Sequence, residues 1–292
     1  MESVSPTIQW FPGHMAKTRR MISANLKLVD VVVELRDARI PLASSNPEID
    51  RLAGAKPRII LLNKSDMADE AVTRRWCSYY KQKNMPVLAV DCRSGKGLKS
   101  FPAVVEQALA EELERRRARG MGGRPIRMMV VGVPNVGKSS LINRLAPSKR
   151  AKVEDRPGVT RGKQWVKLEN GSELLDMPGV LWPKFEDRQV AEHLGFTGAV
   201  KDDVLDLEAL AIRLLERLAK EYPALLLARY KLQESDLQLD GYGMLCQVAK
   251  KRGMLLAGGE FNIERAAIIL LDEFRGGKIG RISLEQPPGE ET

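Results

Sequence analysis

The chain has 292 residues, which corresponds to two domains at about 150 residues per domain. Apolar residues make up 43% and charged residues 29%, a balance that excludes collagen-like, disordered and disulfide-scaffold proteins. There are 47 Lys and Arg against 38 Asp and Glu, giving a formal charge of +9. This charge favours a polyanionic partner, although a generic basic protein would carry it too.

The cysteines and the apolar segments exclude further classes of protein. Cys77, Cys92 and Cys246 form no C-x-x-C pair, so they indicate neither a disulfide framework nor a zinc site and fit a reducing compartment. No apolar run approaches the roughly 20 residues of a membrane span, and residues 1–12 do not resemble a signal peptide. The sequence therefore predicts a cytoplasmic protein without a membrane partner.

The first two thirds of the chain alternate between apolar runs and helical patterns. The predicted strands are 29–35, 58–62, 86–90 and 126–131, and the predicted helices are 47–53, 69–83 and a long one over 98–117. A glycine-rich break follows at 120–123, and Asn170-Gly171 joins 164–168 to 172–175 as a hairpin. This order predicts an α/β fold with a mostly parallel sheet flanked by helices.

The pattern changes to helices alone after about residue 185. Leucines over 205–218 form one apolar face, and further helices are predicted at 223–232, 241–251 and 263–274, the last ending at Gly276-Gly277. The predicted organisation is an α/β domain over 1–184, a small all-α domain over 185–285 and a disordered tail over 286–292.

A phosphate-binding loop occupies residues 132–139, whose sequence GVPNVGKS matches G-x-x-x-x-G-K-[ST] between a predicted strand and a predicted helix. Its glycines let backbone N–H groups face the phosphates, and the helix N-terminus adds positive potential. Lys138 is expected to contact the β- and γ-phosphates, and Ser139 to ligate Mg²⁺.

Two further segments fit a bound triphosphate. In the D-x-P-G sequence at 176–179, Asp176 is expected to hold the Mg²⁺ ion and Gly179 to donate its N–H to the γ-phosphate. In the loop 155–161, Thr160 could complete the Mg²⁺ shell. The alternative for this loop is an ordinary Pro-Gly turn.

The base-reading signal is N-K-x-D at 63–66, at the end of a predicted buried strand. The Asp66 carboxylate can accept from guanine N1–H and from its exocyclic amine, which selects GTP over ATP. The loop 91–97 would place the Cys92 N–H at guanine O6, although such a loop is more often only a turn. The predicted GTP-binding residues are Asn63, Lys64, Ser65, Asp66, Asp91, Cys92, Arg93, Asn135, Val136, Gly137, Lys138, Ser139, Ser140, Thr160 and Gly179.

These motifs are those of a Ras-like GTPase, but N-K-x-D precedes the phosphate loop instead of following it. If all of them line one pocket, the chain is a circular permutation, with the helix 98–117 and the linker 120–123 joining the former ends. The alternative is that N-K-x-D at 63–66 is coincidental.

With this motif order, the sequences WFPGHMAK at 10–17, DARIP at 37–41 and GGKIGR at 276–281 resemble the ribosome biogenesis GTPase A family (YlqF or RbgA) over nearly the whole chain. The resemblance implies a GTPase of low intrinsic rate that is stimulated by the ribosomal subunit and helps the large subunit mature. It implies as partners GTP or GDP and the large-subunit precursor with its ribosomal RNA, contacted by the helical domain. We expect a monomer that does not bind DNA.

The residue that positions the attacking water cannot be the usual glutamine in this chain. The position after D-x-P-G, where many GTPases have a water-orienting glutamine, is Val180. The resemblance points instead to His14 of the Pro-Gly-His sequence as the catalytic residue. The resemblance also matches Asn135 to an asparagine that helps hold a K⁺ ion, whose charge would offset negative charge in the transition state. The alternative is that Asn135 only stabilises the loop.

Basic clusters occur at 138–167, 17–20, 250–252 and 275–281. They fit backbone contacts to structured RNA, although each could equally be a solvated helix end. Two other functions stay open: an RNA-binding scaffold that uses GTP as a conformational ligand with negligible hydrolysis, and a protein-binding signalling switch, which would not need a basic helical domain.

Overall fold

The computed structural model describes residues 20, 22–146, 164–179, 181 and 187–289, and these fall into two compact units. Unit 1 comprises Met1–Arg188 together with Ser283–Thr292, and unit 2 is Gln189–Ile282. In the described part of the chain, none of the helices has the length and apolar character needed to cross a membrane.

Unit 1 is built on a six-stranded, mostly parallel sheet. Its strands are β1 (Val31–Asp37), β2 (Arg58–Asn63), β3 (Val87–Ala89), β4 (Arg127–Val131), β5 (Gln164–Lys167) and β6 (Glu173–Asp176). They lie in the order β3-β2-β1-β4-β6-β5, and only β5 is antiparallel to its neighbour. The predicted α/β class and the predicted hairpin are confirmed.

The central strand explains why the sequence forms this sheet. All seven residues of β1 are buried, as expected for a parallel strand covered on both faces. Its register pairs Val33 with Ile59 of β2 and with Val130 of β4. These parallel strands therefore end at one edge of the sheet, where the loops after β1, β2, β3 and β4 meet.

Helices of unit 1 cover the sheet. They are α1 (Pro47–Ala53), α2 (Glu70–Gln82), α3 (Phe101–Ala108), α4 (Ala110–Ala118) and α5 (Lys138–Leu145). In α2 the N-cap Asp69 accepts from the Val72 N–H, and Val72, Trp76 and Tyr80 form the buried face one turn apart.

The prediction of one long helix over 98–117 is wrong. A 3₁₀ turn at Leu98–Ser100 precedes α3, and the chain bends at Leu109 before α4. Leu109 has φ −109° and ψ 9°, and its side chain is only 1% exposed. Its carbonyl still accepts the Leu113 N–H at 2.8 Å, so helical hydrogen bonding resumes directly after the break.

The helices after residue 187 belong to unit 2, except for Arg188; the first of them was not predicted as a helix, and the others follow in their predicted order. They are α6 (Arg188–Phe196), α7 (Leu207–Glu221), α8 (Pro223–Tyr230), α9 (Gly241–Lys251) and α10 (Ile263–Arg275). Leu210, Leu214 and Leu218 form the buried face of α7, which packs against α9 and α10. The described part of unit 2 otherwise has short 3₁₀ turns and one isolated β-bridge, Leu255–Phe261.

The C-terminal segment differs from its prediction. Residues 283–285, predicted within the helical domain, group with unit 1, and unit 2 begins at Gln189 instead of at 185. Gln286, predicted to be disordered, accepts a hydrogen bond from Arg75 Nη2 at 2.7 Å. The polar, proline-containing composition of the tail gives no sign of this contact, because Arg75 lies 211 residues away in the sequence.

Candidate functional site

The phosphate-binding loop connects β4 to α5 at the carboxyl edge of the sheet. Gly137, the N-cap of α5, has φ +104°, and Asn135 has φ +55°, so the loop turns through left-handed backbone at both positions. A Cβ at Gly137 would collide with Nδ2 of Asn63. Glycine is therefore needed here both for backbone conformation and for the approach of a second motif.

Lys138 and Asp176 form a buried charged pair beside this loop. Lys138 Nζ donates to Gly132 O at 3.1 Å and to Val133 O at 2.9 Å, so the side chain folds back over its own loop. Burial lowers the pKa of Lys138 to about 8 and raises that of Asp176 to about 6, while the attraction between the two charges opposes both shifts. An anion and a cation bound here would relieve these costs of burial.

The turn after β6 lies directly against the phosphate-binding loop. A Cβ on Gly179 would lie 2.8 Å from Pro134 Cα and 3.1 Å from Lys138 Nζ. The structure thus brings Gly179, Lys138 and Asp176 together, as their predicted roles require.

Asn63 joins N-K-x-D to the phosphate-binding loop, through a contact that spans 73 residues of sequence. Its Nδ2 donates to Val136 O in the phosphate-binding loop at 2.7 Å, and its Oδ1 accepts from the Cys92 N–H at 3.0 Å. One amide side chain therefore connects the end of β2, the phosphate-binding loop and the loop 91–97. Asp66, three residues further on, is exposed and accessible to a ligand.

The loop 91–97 is held by residues on both sides of it. The Arg93 N–H donates to Asp91 Oδ1 at 2.8 Å, and Arg144 Nη2 of α5 donates to the carbonyls of Arg93, at 2.9 Å, and Ser94. The Cys92 N–H, predicted to contact guanine O6, is the one donated to Asn63 in this structure. The guanine contact of Cys92 stays a prediction and would require this N–H to be shared.

Asp37, Arg39 and Arg144 support the site but were not assigned a role from the sequence. Lys64 Nζ forms an ion pair with Asp37 Oδ2 at 3.1 Å, and Arg39 binds both carboxylate oxygens of Asp37 at 2.9 and 2.8 Å. Burial alone would raise the pKa of Asp37, but Arg39 and Lys64 hold it well below its usual value. The sequence DARIP contains two of these residues but served only as a mark of resemblance, and nothing marked Arg144.

The donor set at Asp176 fits a bound Mg²⁺ ion. Asp176 is 3% exposed, and its Oδ1 has no hydrogen-bond partner among the residues that the structure describes. Mg²⁺ prefers oxygen ligands and commonly combines one or two protein oxygens with phosphates and water. The partly exposed hydroxyl of Ser139 lies one residue after Lys138 and supplies the other predicted protein oxygen.

Several predicted residues lie outside the described residues: His14, Thr160 and Val180. The other predicted site residues are described, and those at 63–66, 91–93 and 135–140 lie at or after the carboxyl ends of β2, β3 and β4.

The predicted RNA-contacting clusters divide into paired and exposed members. Arg252 forms an ion pair with Glu273 at 3.1 Å, and Arg275 forms one with Asp202 at 2.8 Å, so both contribute to the packing of unit 2. Lys250, Lys251 and Lys278 have exposed side chains and could contact a polyanion.

Comparison with known proteins gives related sequences over almost the whole length. Residues 127–239 match the family model described as 50S ribosome-binding GTPase. The ribosome biogenesis GTPase A of Priestia megaterium is 48% identical over 282 residues, which cover 96% of this chain and 97% of the relative. That of Thermotoga maritima is 34% identical over 280 residues, covering 96% and 95%.

Solved structures give the same result for the fold. A GDP-bound YlqF aligns with a TM-score of 0.66 at 32% identity, covering 92% of this chain and 99% of that one. GNP-bound YlqF from T. maritima aligns with a TM-score of 0.63 at 31% identity, covering 93% and 99%.

Proposed function

Because this chain belongs to the ribosome biogenesis GTPase A family and is thereby a GTP-hydrolysing enzyme that acts in ribosome biogenesis, we propose that it assists assembly of the large ribosomal subunit by coupling its nucleotide state to its affinity for ribosomal RNA. The observation that carries the nucleotide site is the position of Asn63, whose amide contacts both the phosphate-binding loop and the loop 91–97. Both contacts support one pocket that reads guanine and phosphate together.

Phosphate binding belongs to the loop 132–139 and to the turn after β6. Backbone N–H groups of Val136, Gly137 and Lys138 face the phosphates at the start of α5, where the helix dipole favours negative charge. The Lys138 ammonium, now held by two carbonyls of its own loop, contacts the β- and γ-phosphates. Gly179 donates its N–H to the γ-phosphate.

Guanine recognition belongs to the loops after β2 and β3. Asp66 accepts from guanine N1–H and from the exocyclic amine, a donor pair that adenine lacks. Ser65, Asp91, Cys92 and Arg93 complete the base pocket, with a Cys92 N–H shared between Asn63 and guanine O6. This arrangement assigns the motifs to a circularly permuted GTPase domain, supported by the strand order in which β1 and β4 are neighbours.

Mg²⁺ would be held by Ser139 and Asp176, with Thr160 joining in the triphosphate state. The ion supplies neutralisation of phosphate charge when it is bound. The unpartnered Oδ1 of Asp176 is the supporting observation within this chain.

Two residues are proposed to assist hydrolysis. His14, which lies outside the described residues, would position the attacking water, and Asn135 would help hold a K⁺ ion beside the phosphates. An unchanged hydrolysis rate in His14→Ala would contradict the first role. Equal turnover in KCl and in NaCl would contradict the second.

The short connection between the turn at Gly179 and the helical unit would couple the nucleotide state to the affinity for RNA. Unit 2 begins at Gln189, ten residues after Gly179, so a rearrangement on loss of the γ-phosphate acts close to the start of the helical unit. The protein should bind large ribosomal subunits with different affinities in the presence of a GTP analogue and of GDP. Equal affinities would contradict the coupling.

Single-turnover GTP hydrolysis with and without large ribosomal subunits tests the function. We expect a low rate for the protein alone and a higher rate with subunits. Negligible hydrolysis in both conditions, with subunit binding retained, would favour the scaffold in which GTP is only a conformational ligand.

A matched specificity variant accompanies this experiment. Asp66→Asn replaces an acceptor by a donor and should shift preference from GTP to XTP, because xanthine has a carbonyl where guanine has an amine. Glu114→Ala, an exposed change on α4, should leave the preference for GTP unchanged.

A further inference from the structure

The segment 283–286, here called the strap, directly follows the last residue of unit 2 but packs on unit 1. Ser283 and Leu284 are 1% and 2% exposed. Ser283 Oγ accepts the Asp69 N–H at 3.1 Å, and the Glu285 carbonyl accepts Nε1–H of Trp76 at 3.0 Å. Two contacts thus fix the strap to the N-cap and the buried face of α2.

The strap also binds the loop that follows β1. The Leu284 N–H donates to Arg39 O at 2.8 Å. The Glu285 carboxylate accepts the N–H of Leu42 at 2.6 Å and that of Ala43 at 3.1 Å. A carboxylate on two successive backbone N–H groups makes charge-assisted hydrogen bonds, which are stronger than neutral ones.

This loop is in turn bonded to the base-reading motif. The Ala38 N–H donates to Asn63 O at 2.8 Å. The Asp37 carboxylate forms an ion pair with Lys64 Nζ at 3.1 Å and accepts hydrogen bonds from Nε and Nη2 of Arg39. A continuous series of contacts therefore runs from Glu285 through the loop 38–44 to N-K-x-D.

The left-handed backbone of Lys64 shows why such support matters. Lys64 has φ +59°, a conformation that costs a residue with a side chain about 1 kcal/mol. The ion pair with Asp37 holds Lys64 within the motif, two residues before Asp66, and the strap fixes the backbone on which Arg39 and Asp37 lie.

We propose that the strap is a positioning element for guanine recognition, with Glu285 as its positioning residue. This inference rests on the proposed function, because it assigns Asp66 to the guanine base. Glu285 contacts no nucleotide; it acts by fixing the loop 38–44, which holds N-K-x-D in the geometry that discriminates guanine.

The test compares affinities for GDP and IDP in the full-length protein. Hypoxanthine lacks the exocyclic amine, so the ratio of the two affinities measures the contact between Asp66 and that amine. In Glu285→Ala we expect the preference for GDP over IDP to fall about fivefold. Glu285→Gln keeps one acceptor oxygen and should restore part of the preference, whereas Glu114→Ala should keep all of it.

The ratio separates positioning from loss of folded protein. A smaller active fraction changes the measured amount of binding for both nucleotides equally and leaves their affinity ratio intact. An unchanged ratio in Glu285→Ala, or equal losses of GDP and IDP affinity, would overturn the proposal.

Asp66→Ala distinguishes this failure from failure of the proposed function. The wild-type protein should prefer GDP to IDP, and Asp66→Ala should abolish that preference. Absence of either result would overturn the assignment of Asp66 to guanine. If both results hold while Glu285→Ala retains the wild-type ratio, only the role of the strap is wrong.

Discussion

The amide side chain of Asn63 makes two hydrogen bonds at once, one as a donor and one as an acceptor. It donates to Val136 O and accepts from the Cys92 N–H, and it is only 3% exposed. The amide group is required because one end must be a donor and the other an acceptor. A carboxylate would satisfy Cys92 but would repel the Val136 carbonyl.

Asn63→Ala should therefore lower both stability and nucleotide affinity. Leaving a buried donor or acceptor unsatisfied costs about 1–3 kcal/mol, so we expect the free energy of unfolding to fall by about 2 kcal/mol. Urea unfolding and GDP titration measure the two effects. Gln107→Ala, an exposed change on α3, serves as the control, and wild-type stability in Asn63→Ala would contradict the bridge.

Asp37 gives stability that depends on pH. Its folded-state pKa lies well below its usual 3.8 because of Arg39 and Lys64. The contribution is therefore complete above about pH 5 and is lost as the pH falls towards the folded-state value.

We expect Asp37→Asn to lower the free energy of unfolding by about 3 kcal/mol at neutral pH, because it leaves buried positive charge uncompensated. The difference between wild type and variant should shrink as the pH falls from about 5 to about 2. Unfolding curves at several pH values measure it. A difference that does not change with pH would show that the charge of Asp37 is not responsible.

At the scale of elements, the site consists of loops that follow neighbouring strands. The phosphate-binding loop and the turn after β6 approach closely enough that only glycine fits at position 179. This packing depends on the parallel pairing of β4 with β6, which pairs Val130 with Asp176.

Gly179→Ala should weaken nucleotide binding without unfolding the sheet. Its Cβ would press on the backbone of Pro134, and overpacking of this kind costs about 1–3 kcal/mol. If the nucleotide-bound geometry bears this cost, affinity should fall by about 5- to 150-fold. Gly171→Ala is the matched control, because its φ of +81° strains the hairpin but nothing lies within 4 Å of the added Cβ. It should lower stability alone; equal GDP affinity in both variants would contradict the close approach.

At the scale of the whole molecule, the proposed function divides the formal charge of +9 between two partners. On that proposal, nucleotide phosphates would interact with the charge near the phosphate-binding loop, and exposed lysines such as Lys250 and Lys251 would be available for RNA. Only the contacts with RNA should make binding strongly dependent on salt, because contacts with a nucleic acid release condensed counterions.

Affinity for large ribosomal subunits should fall at least about tenfold between about 50 and about 200 mM KCl, while GDP affinity changes much less. Changing both Lys250 and Lys251 to Ala should flatten the salt dependence of subunit binding. The paired change of two other exposed lysines, Lys81 in the last turn of α2 and Lys83 at its C-cap, should not. Identical salt slopes in all three proteins would contradict the assignment of charge to this part of unit 2.

The elements followed from local sequence wherever burial on both faces or a helical face imposed a clear pattern. Strands β1, β2 and β4, the hairpin and helices α7 to α10 were predicted near their observed bounds, whereas α6 was not predicted. The break at Leu109 was not, because a bend that buries one leucine leaves the helical periodicity of its neighbours intact.

The residue types of the phosphate-binding loop, N-K-x-D and D-x-P-G determined the chemistry of the site by themselves, because their spacing along strand ends is specific to phosphate and guanine. Their meeting was decided by the tertiary structure, in which the order of parallel strands brings the loops together and Asn63 reaches Val136. The roles of Asp37, Arg144 and Glu285 likewise appeared only in the folded chain. Each acts through contacts across 27 to 243 residues of sequence, and no local pattern encodes a partner at that distance.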